Sequence, residues 1–317
     1  MPDDDSRETP FEPDRRPAPK KPPSRVEYRL IQGRTAVEAD DPYSIVYQHT
    51  VFCQTGLPYR NPGATSREWE RRNGNVGLKI VAGEAYHPET GEWVKLGLPF
   101  GVKPRLILTY LNREALIRGT PVIEVGDSLT AFAKRLLGFD PNGKEIRLLK
   151  DQLGRLAGAM VRLGVARGDR GFQLDTKVVT SFDLWFPKDE RQRVLWPSVV
   201  KLNLDYFESL QRHAVPLDER AVAALAHSAM ALDVYAWLAQ RLHRVPARTP
   251  QVIPWARLRE QFGWHYQYMP KFRQVFRHTL GTVLSQYPEA RVELDELGLM
   301  LRNSPPPVRG RPIPFKT

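Results

Sequence analysis

The chain has a single cysteine, Cys53, in 317 residues. One thiol excludes an intrachain disulfide and a thiolate metal cluster, and it fits a reducing, cytoplasmic setting. No run approaches the ~18 consecutive apolar residues of a spanning helix, which argues against a membrane partner. The opening residues include Asp3, Asp4 and Asp5 and do not read as a secretory signal.

Patterns that carry catalysis are missing as well. No two of the seven histidines are separated by one residue, so the close pair that holds the metal of a rolling-circle nickase is absent. Tyr266 and Tyr268 beside His265 read as packing aromatics rather than nucleophiles. No CxxC, HExxH or paired-carboxylate pattern stands out. Residues 138–145, from Gly138 to Glu145, nearly spell the phosphate-binding loop GxxxxGK[ST]. Glu145 falls where the loop needs a hydroxyl, and the segment before it reads as helix instead of strand. These absences predict a non-enzymatic protein with no metal and no cofactor.

Acid is scarce in one stretch. Between Arg241 and Leu280 there are eight Arg or Lys residues and one acid, Glu260, which supplies +7 of the whole-chain +11. The same stretch holds Trp255, Trp264, Tyr266, Tyr268, Phe272 and Phe276. Disordered tails are poor in large apolar residues, so this is a folded surface that faces something negative. Nucleic acid is the commonest such partner of a basic chain.

Periodicity sharpens the reading. Over 270–286, Phe272, Val275, Phe276, Thr279, Leu280 and Val283 share one helical face. Pro270 suits the first turn. Lys271, Arg273, Gln274, Arg277 and His278 lie on the other face and offer donors suited to phosphates and guanine edges. A solvated basic face is the plain alternative, but surface helices ordinarily mix signs, and this one has no acid before Glu289.

The rest of the chain predicts two domains between proline-rich tails. Residues 1–40 read as a disordered tail; the first 25 alone hold six acids, six bases and seven prolines. A hairpin is expected over 77–100, with strands at 78–82 and 92–98, followed by a helix over 104–118 and a strand at 122–125. A helix over 129–137 follows, with Asp127 or Ser128 as its N-cap. A basic helix over 144–163 then carries Lys144, Arg147, Arg155 and Arg162, with Asp151 interrupting their stripe. Gly154 and Gly158 on it suit close backbone approach. A ribbon with Arg167 and Arg170 near its turn comes next.

The second half repeats this order. A long buried helix starts near Asp218, a short helix runs from Pro254 to Phe262, the basic helix follows, and a ribbon spans 291–302. Helix, short helix, basic helix and ribbon is the winged-helix order, in which the ribbon can touch neighbouring phosphates. The expected fold class is α+β with tandem winged-helix domains: domain 1 over 41–195, domain 2 over 196–303, and a basic proline-rich tail over 304–317.

Three phrases then point to a family. They are Leu98-Pro99-Phe100-Gly101-Val102-Lys103-Pro104-Arg105-Leu106-Ile107-Leu108, Val125-Gly126-Asp127-Ser128-Leu129-Thr130-Ala131-Phe132, and Leu232-Asp233-Val234-Tyr235-Ala236-Trp237-Leu238-Ala239-Gln240-Arg241-Leu242. In these the chain resembles the plasmid-encoded RepA-type replication initiators, over roughly 52–303. The resemblance implies a tandem winged-helix protein that binds repeated sites at a plasmid origin, opens the duplex and recruits the host initiator DnaA and the replicative helicase. It also implies a homodimer through domain 1 and repression of the protein's own promoter. The family's main groove reader maps onto Lys271, Arg273, Gln274, Arg277 and His278. Lys144, Arg147, Arg155 and Arg162 match the helix of domain 1 less closely, and Arg167 and Arg170 are candidate phosphate contacts. The rival readings are a tandem winged-helix repressor and, from another class, a nickase or ATPase.

Overall fold

A computed structural model describes residues 23–38, 45–87, 90–125, 129–168, 170–181 and 199–308. The described chain opens with helix α1 (Arg25–Glu38), where a tail was expected. Its start is fixed by a reciprocal cap: Ser24 N–H donates to the Glu27 carboxylate at 2.7 Å and Glu27 N–H donates to Ser24 Oγ at 3.3 Å. The tail reading is therefore corrected over 25–38; residues 1–22 lie outside the described residues.

Next come β1 (Ile45–His49), α2 (Thr50–Thr55), β2 (Glu68–Asn73), β3 (Val76–Val81), β4 (Glu84–Tyr86), β5 (Trp93–Lys95) and α3 (Val102–Arg118). The expected hairpin over 77–100 is re-paired. β3 pairs with β2, and the short strands β4 and β5 pair with each other. α3 is buried nearly throughout, its polar residues Arg105, Thr109, Asn112 and Glu114 included. Leu106 faces one core while Ile107, Leu108 and Leu111 face another. β1 divides likewise, with Tyr47 in the first core and Val46 in the second. The two cores share this wall.

The first core continues through β6 (Val122–Glu124), α4 (Leu129–Leu137), α5 (Gly143–Gly158), β7 (Met160–Arg167), β8 (Arg170–Lys177), β9 (Val179–Ser181), β10 (Val199–Leu202) and α6 (Leu204–His213). Strands β2-β3-β7-β8 form one antiparallel sheet and β6-β10-β9 another. The buried set of this core runs to Leu210, past the boundary expected at 195. The N-cap expected at Asp127 or Ser128 lies outside the described residues.

α5 is shorter than expected. It starts at a capping box, in which Glu145 N–H donates to Asn142 Oδ1 at 2.9 Å and Asn142 N–H to Glu145 Oε2 at 3.0 Å. Glu145 thus serves the helix start, which accounts for the near-match to a phosphate loop. The helix stops at Gly158, where the backbone of Gly83 lies so close that a Cβ on Gly83 would sit 1.8 Å from the Gly158 carbonyl oxygen. The chain then turns into β7, so Arg162 is a strand residue and not a helix residue.

The second core is built by β11 (Ala214–Asp218), α7 (Glu219–Leu225), α8 (Ala229–Arg241), a 3-10 turn (Leu242–Arg244), β12 (Gln251–Pro254), α9 (Trp255–Phe262), α10 (Met269–Leu284), β13 (Val292–Leu294) and β14 (Gly298–Leu301). The single long helix expected from Asp218 is two helices. Asp218 caps the first by accepting from Arg220 N–H at 2.8 Å, and Ser228 caps the second by accepting from Ala231 N–H at 3.2 Å. β1 pairs with β11 antiparallel, from Ile45↔Asp218 to His49↔Ala214, and ties the cores together. α1 lies across α7; Arg220 donates to the Ala36 carbonyl and Gln286 to the Leu30 carbonyl.

The chain end at Ser304–Val308, read as tail, packs back instead: Ser304 and Val308 are buried and the Tyr287 hydroxyl donates to the Pro305 carbonyl at 2.6 Å. Residues 309–317 lie outside the described residues.

One order of elements occurs twice. α3, β6, α4, α5, β7 and β8 are matched by α8, β12, α9, α10, β13 and β14. The sheets differ. β12 closes a three-stranded sheet with its own ribbon, in the order β12-β14-β13, whereas β6 pairs with β10 and the β7-β8 ribbon is extended by β3 and β2.

Candidate nucleic-acid interface

α10 is positioned by its aromatic side. Phe272, Phe276, Leu280 and Val283 are buried. Trp255, the first residue of α9, meets Phe272 and Phe276 edge-on at 6.2 and 5.9 Å between ring centroids, and Phe262 stands 5.7 Å from Phe276. Edge-to-face packing of this kind adds roughly 0.5–1.5 kcal/mol per pair beyond the area buried. The turn between α9 and α10 passes Gly263, where a Cβ would come within 2.2 Å of the Phe272 ring. Glycine there lets the two helices close on one another.

The other side of α10 carries the charge. Lys271, Gln274, Arg277 and His278 are exposed, and Arg273 is half-buried. Lys271 Nζ donates to Gln274 Oε1 at 3.1 Å. The guanidinium groups of Arg273 and Arg277 lie 5.2 and 5.4 Å from the Trp255 ring centroid, so one indole steadies both. Arg273 Nε has no hydrogen-bond partner among the described residues. All five predicted residues therefore sit on one helix, with no acid in its sequence Met269–Leu284.

The residues expected from the first half are placed differently. Lys144 and Arg147 are exposed on α5. Arg155 is engaged in the fold: its Nε donates to both Asp151 carboxylate oxygens at 2.9 Å, Nη1 donates to the Leu98 carbonyl, and the group lies over the Phe100 ring at 5.3 Å. Arg162, moved to β7, faces Asp175 across the ribbon at 3.3 Å. Arg170 is exposed at the start of β8, paired through its backbone with Arg167 at the end of β7.

The ribbon of the second half differs from expectation in sign. Around its tip stand Glu293, Asp295, Glu296 and the exposed Leu297, while Arg302 pairs with Glu293 at 3.3 Å. An acidic tip repels phosphate, so the expected backbone contact is not offered there.

A second basic cluster, missed in the sequence, stands at the turn before α10. The Arg71 guanidinium of β2 lies 3.9 Å from the Trp69 ring and 4.6 Å from the Trp264 ring, and the two indoles meet at 4.8 Å. Tyr59 meets His265 edge-on at 5.8 Å. Burial lowers the His265 pKa, and the nearby positive charges of Arg60 and Arg71 lower it further. The signal for β2 was the Asn73-Gly74-Asn75 turn, with Gly74 at φ 59°.

The sequence profile of the plasmid encoded RepA protein family matches residues 98–257, half of the chain. The chain belongs to this family. It is accordingly a RepA-type replication initiator, as its sequence phrases implied. The matched segment runs from before α3 to the first turn of α9 and includes Arg105, Asp233 and Trp255. Two crystal structures of domains 2 and 3 of RctB are among the solved structures similar to this chain. One, a selenomethionine derivative, covers 80% of this chain and 98% of its own at 10% identity and a TM-score of 0.47. The other covers 79% and 94% at 10% identity and a TM-score of 0.46. No curated protein matches the chain. Among the described residues, no helix is long and apolar enough to cross a membrane.

Proposed function

We propose that this initiator acts by sequence-specific binding of double-stranded DNA at repeated sites of a plasmid origin, without catalysis of its own. The observation that carries the reading is α10. Its buried side holds Phe272, Phe276, Leu280 and Val283, and its outer side presents Lys271, Gln274, Arg277 and His278 with no acid among them. A helix so anchored fits the major groove, where Arg binds guanine O6 and N7 and Gln binds adenine N6 and N7.

The doubled order of helix, strand, two helices and two strands is that of two winged-helix units, with α5 and α10 as the equivalent second helices of each pair. In this reading α10 is the main reader. Lys144 and Arg147 on α5, with Arg167 and Arg170 at the first ribbon, make weaker phosphate contacts. Arg155 is left out because Asp151 and the Phe100 ring already occupy it. Membership in the family further supports recruitment of DnaA and the replicative helicase, a homodimer through the first unit, and repression of the initiator's own promoter.

The test is a footprint of the purified chain on plasmid DNA flanking its gene. Protection of directly repeated sites is the expected result. Uniform, sequence-independent protection or none overturns the reading.

A further inference from the structure

The acidic tip of the second ribbon leaves α10 without its usual flanking phosphate contact, and the structure supplies another candidate. Arg71 of β2 packs against both Trp69 of its own strand and Trp264 of the α9–α10 turn, whose rings meet each other edge-on. Among the described residues the Arg71 guanidinium donates one hydrogen bond, from Nη1 to the Glu70 carbonyl at 3.2 Å. Packing against the two indoles restrains the guanidinium while leaving edge donors for a ligand, which lowers the ordering cost of binding. Arg60 is exposed beside the same turn, close enough for its charge to act on His265 and Tyr266. Trp264 and Tyr268 expose aromatic surface around them, at 40% and 73%. His265 Nδ1 is buried there with no partner among the described residues. The acids of β2, Glu68 and Glu70, alternate with Trp69 and Arg71 and so point to the opposite face of the strand.

We infer that Arg60 and Arg71 form a phosphate-binding edge, contributed by the first unit, that grips the backbone of the same duplex whose groove α10 enters. The contact crosses the boundary between the units, so a single duplex reads their relative placement as well as the bases under α10. The inference rests on the duplex-binding reading above and adds two residues that lie outside α10.

The experiment measures affinity of the full chain for a duplex bearing the origin repeat and for a scrambled duplex, across a salt series. The variants are Arg60→Ala and Arg71→Lys. Arg60 is exposed and makes no side-chain hydrogen bond or ion pair among the described residues, so Arg60→Ala is expected to leave the fold intact. Each phosphate contact contributes about 0.9 to the slope of log affinity against log salt. Arg60→Ala is expected to weaken binding severalfold on both duplexes and to lower that slope by about one. Arg71→Lys retains the charge but loses the planar contact with the two indoles. It is expected to weaken both duplexes with little change in slope.

The two possible failures separate cleanly. If the unaltered chain binds neither duplex, the duplex-binding reading falls and the inference falls with it. If the unaltered chain binds the repeat and Arg60→Ala leaves affinity and slope unchanged, only the phosphate edge is overturned. A loss confined to the cognate repeat also overturns it, because a phosphate contact carries no sequence information.

Discussion

Arg105 on α3 and Asp233 on α8 form a buried, two-point ion pair, with Nε–Oδ1 at 2.6 Å and Nη2–Oδ2 at 2.7 Å. The remaining guanidinium donors reach the carbonyls of Gly101 and Leu57 at 2.6 and 2.7 Å. Gly56 lies against the carboxylate at φ 71°, where a Cβ would stand 2.5 Å from Oδ2. Burial raises the Asp233 pKa and the adjacent guanidinium opposes that rise; the two-point contact with a permanent cation holds the pair ionised. The pair joins the helix shared by the two cores to the leading helix of the second. Removing one partner strands the other charge. Asp233→Ala is expected to cost about 3–5 kcal/mol in urea unfolding, whereas replacing both residues by apolar ones of similar volume costs far less. Equal losses for the single and double variants would contradict this account.

His49 makes folding acid-sensitive. The ring is buried at the start of α2, where Nδ1 accepts from Val51 N–H at 3.2 Å and Nε2 contacts Ser209 Oγ at 3.0 Å. Burial first, then the charge of His213, pushes its pKa down to about 3. The folded state thus keeps the ring neutral where the unfolded chain, titrating near 6.5, takes up a proton. Stability from this site is fully present above about pH 6.5 and falls by about 1.4 kcal/mol per unit as pH drops toward 3. His243 and His265 are shifted in the same direction, mainly by burial, and add to the trend. Unfolding free energies at pH 7.5 and 5 should differ by about 2 kcal/mol more in the parent chain than in His49→Gln. Parallel pH profiles would remove His49 from the explanation.

These two buried sites were not visible in the sequence, for a physical reason. Arg105 and Asp233 are 128 positions apart, and nothing local to either helix marks them as partners. The bounds of α4 and α9, by contrast, were legible, because apolar spacing and the following glycines Gly138 and Gly263 are local signals. α10 was legible on its two faces. β2 and β12 were missed because Glu68–Asn73 and Gln251–Pro254 are short, and their pairing with β3 and β14 supplies the stability that alternation alone does not announce. The helix that proved to be two, α7 and α8, was unbroken in hydrophobic pattern, and its interruption rests on the Ser228 cap.

Gly263 tests the link between the α9–α10 packing and the proposed role of α10 in reading DNA. A methyl there would stand 2.2 Å from Phe272 Cδ2 and 2.4 Å from Cε2, on a fully buried ring. Gly263→Ala is expected to cost about 1–3 kcal/mol through overpacking. Because the displaced ring belongs to α10, affinity for the origin repeat should fall more than affinity for scrambled DNA. Unchanged stability would mean that the turn relaxes freely.

Arg155 separates fold from interface. Its contacts with Asp151, the Leu98 carbonyl and the Phe100 ring make it part of the wall behind α5. Arg155→Ala should lower the unfolding midpoint and leave the salt dependence of DNA binding untouched. A reduced salt slope at unchanged stability would return it to the phosphate contacts.

The decisive prediction concerns Arg273 and Arg277. If each makes a two-point contact with a guanine, alanine in either place costs about 1–3 kcal/mol of binding to the repeat and relaxes preference at one base pair. Both groups also pack against Trp255, so truncation removes a stabilising contact of about 0.5–1 kcal/mol as well, and unfolding must be measured beside binding. Lysine resolves the two effects. Arg277→Lys keeps the charge, and hence most of the salt dependence, but lacks the planar fork that matches guanine O6 and N7. Discrimination between the repeat and a single-base variant should therefore shrink while affinity for scrambled DNA stays level. If Arg277→Lys discriminates as well as the parent, α10 contributes charge and not sequence, and the reader must be sought on another element.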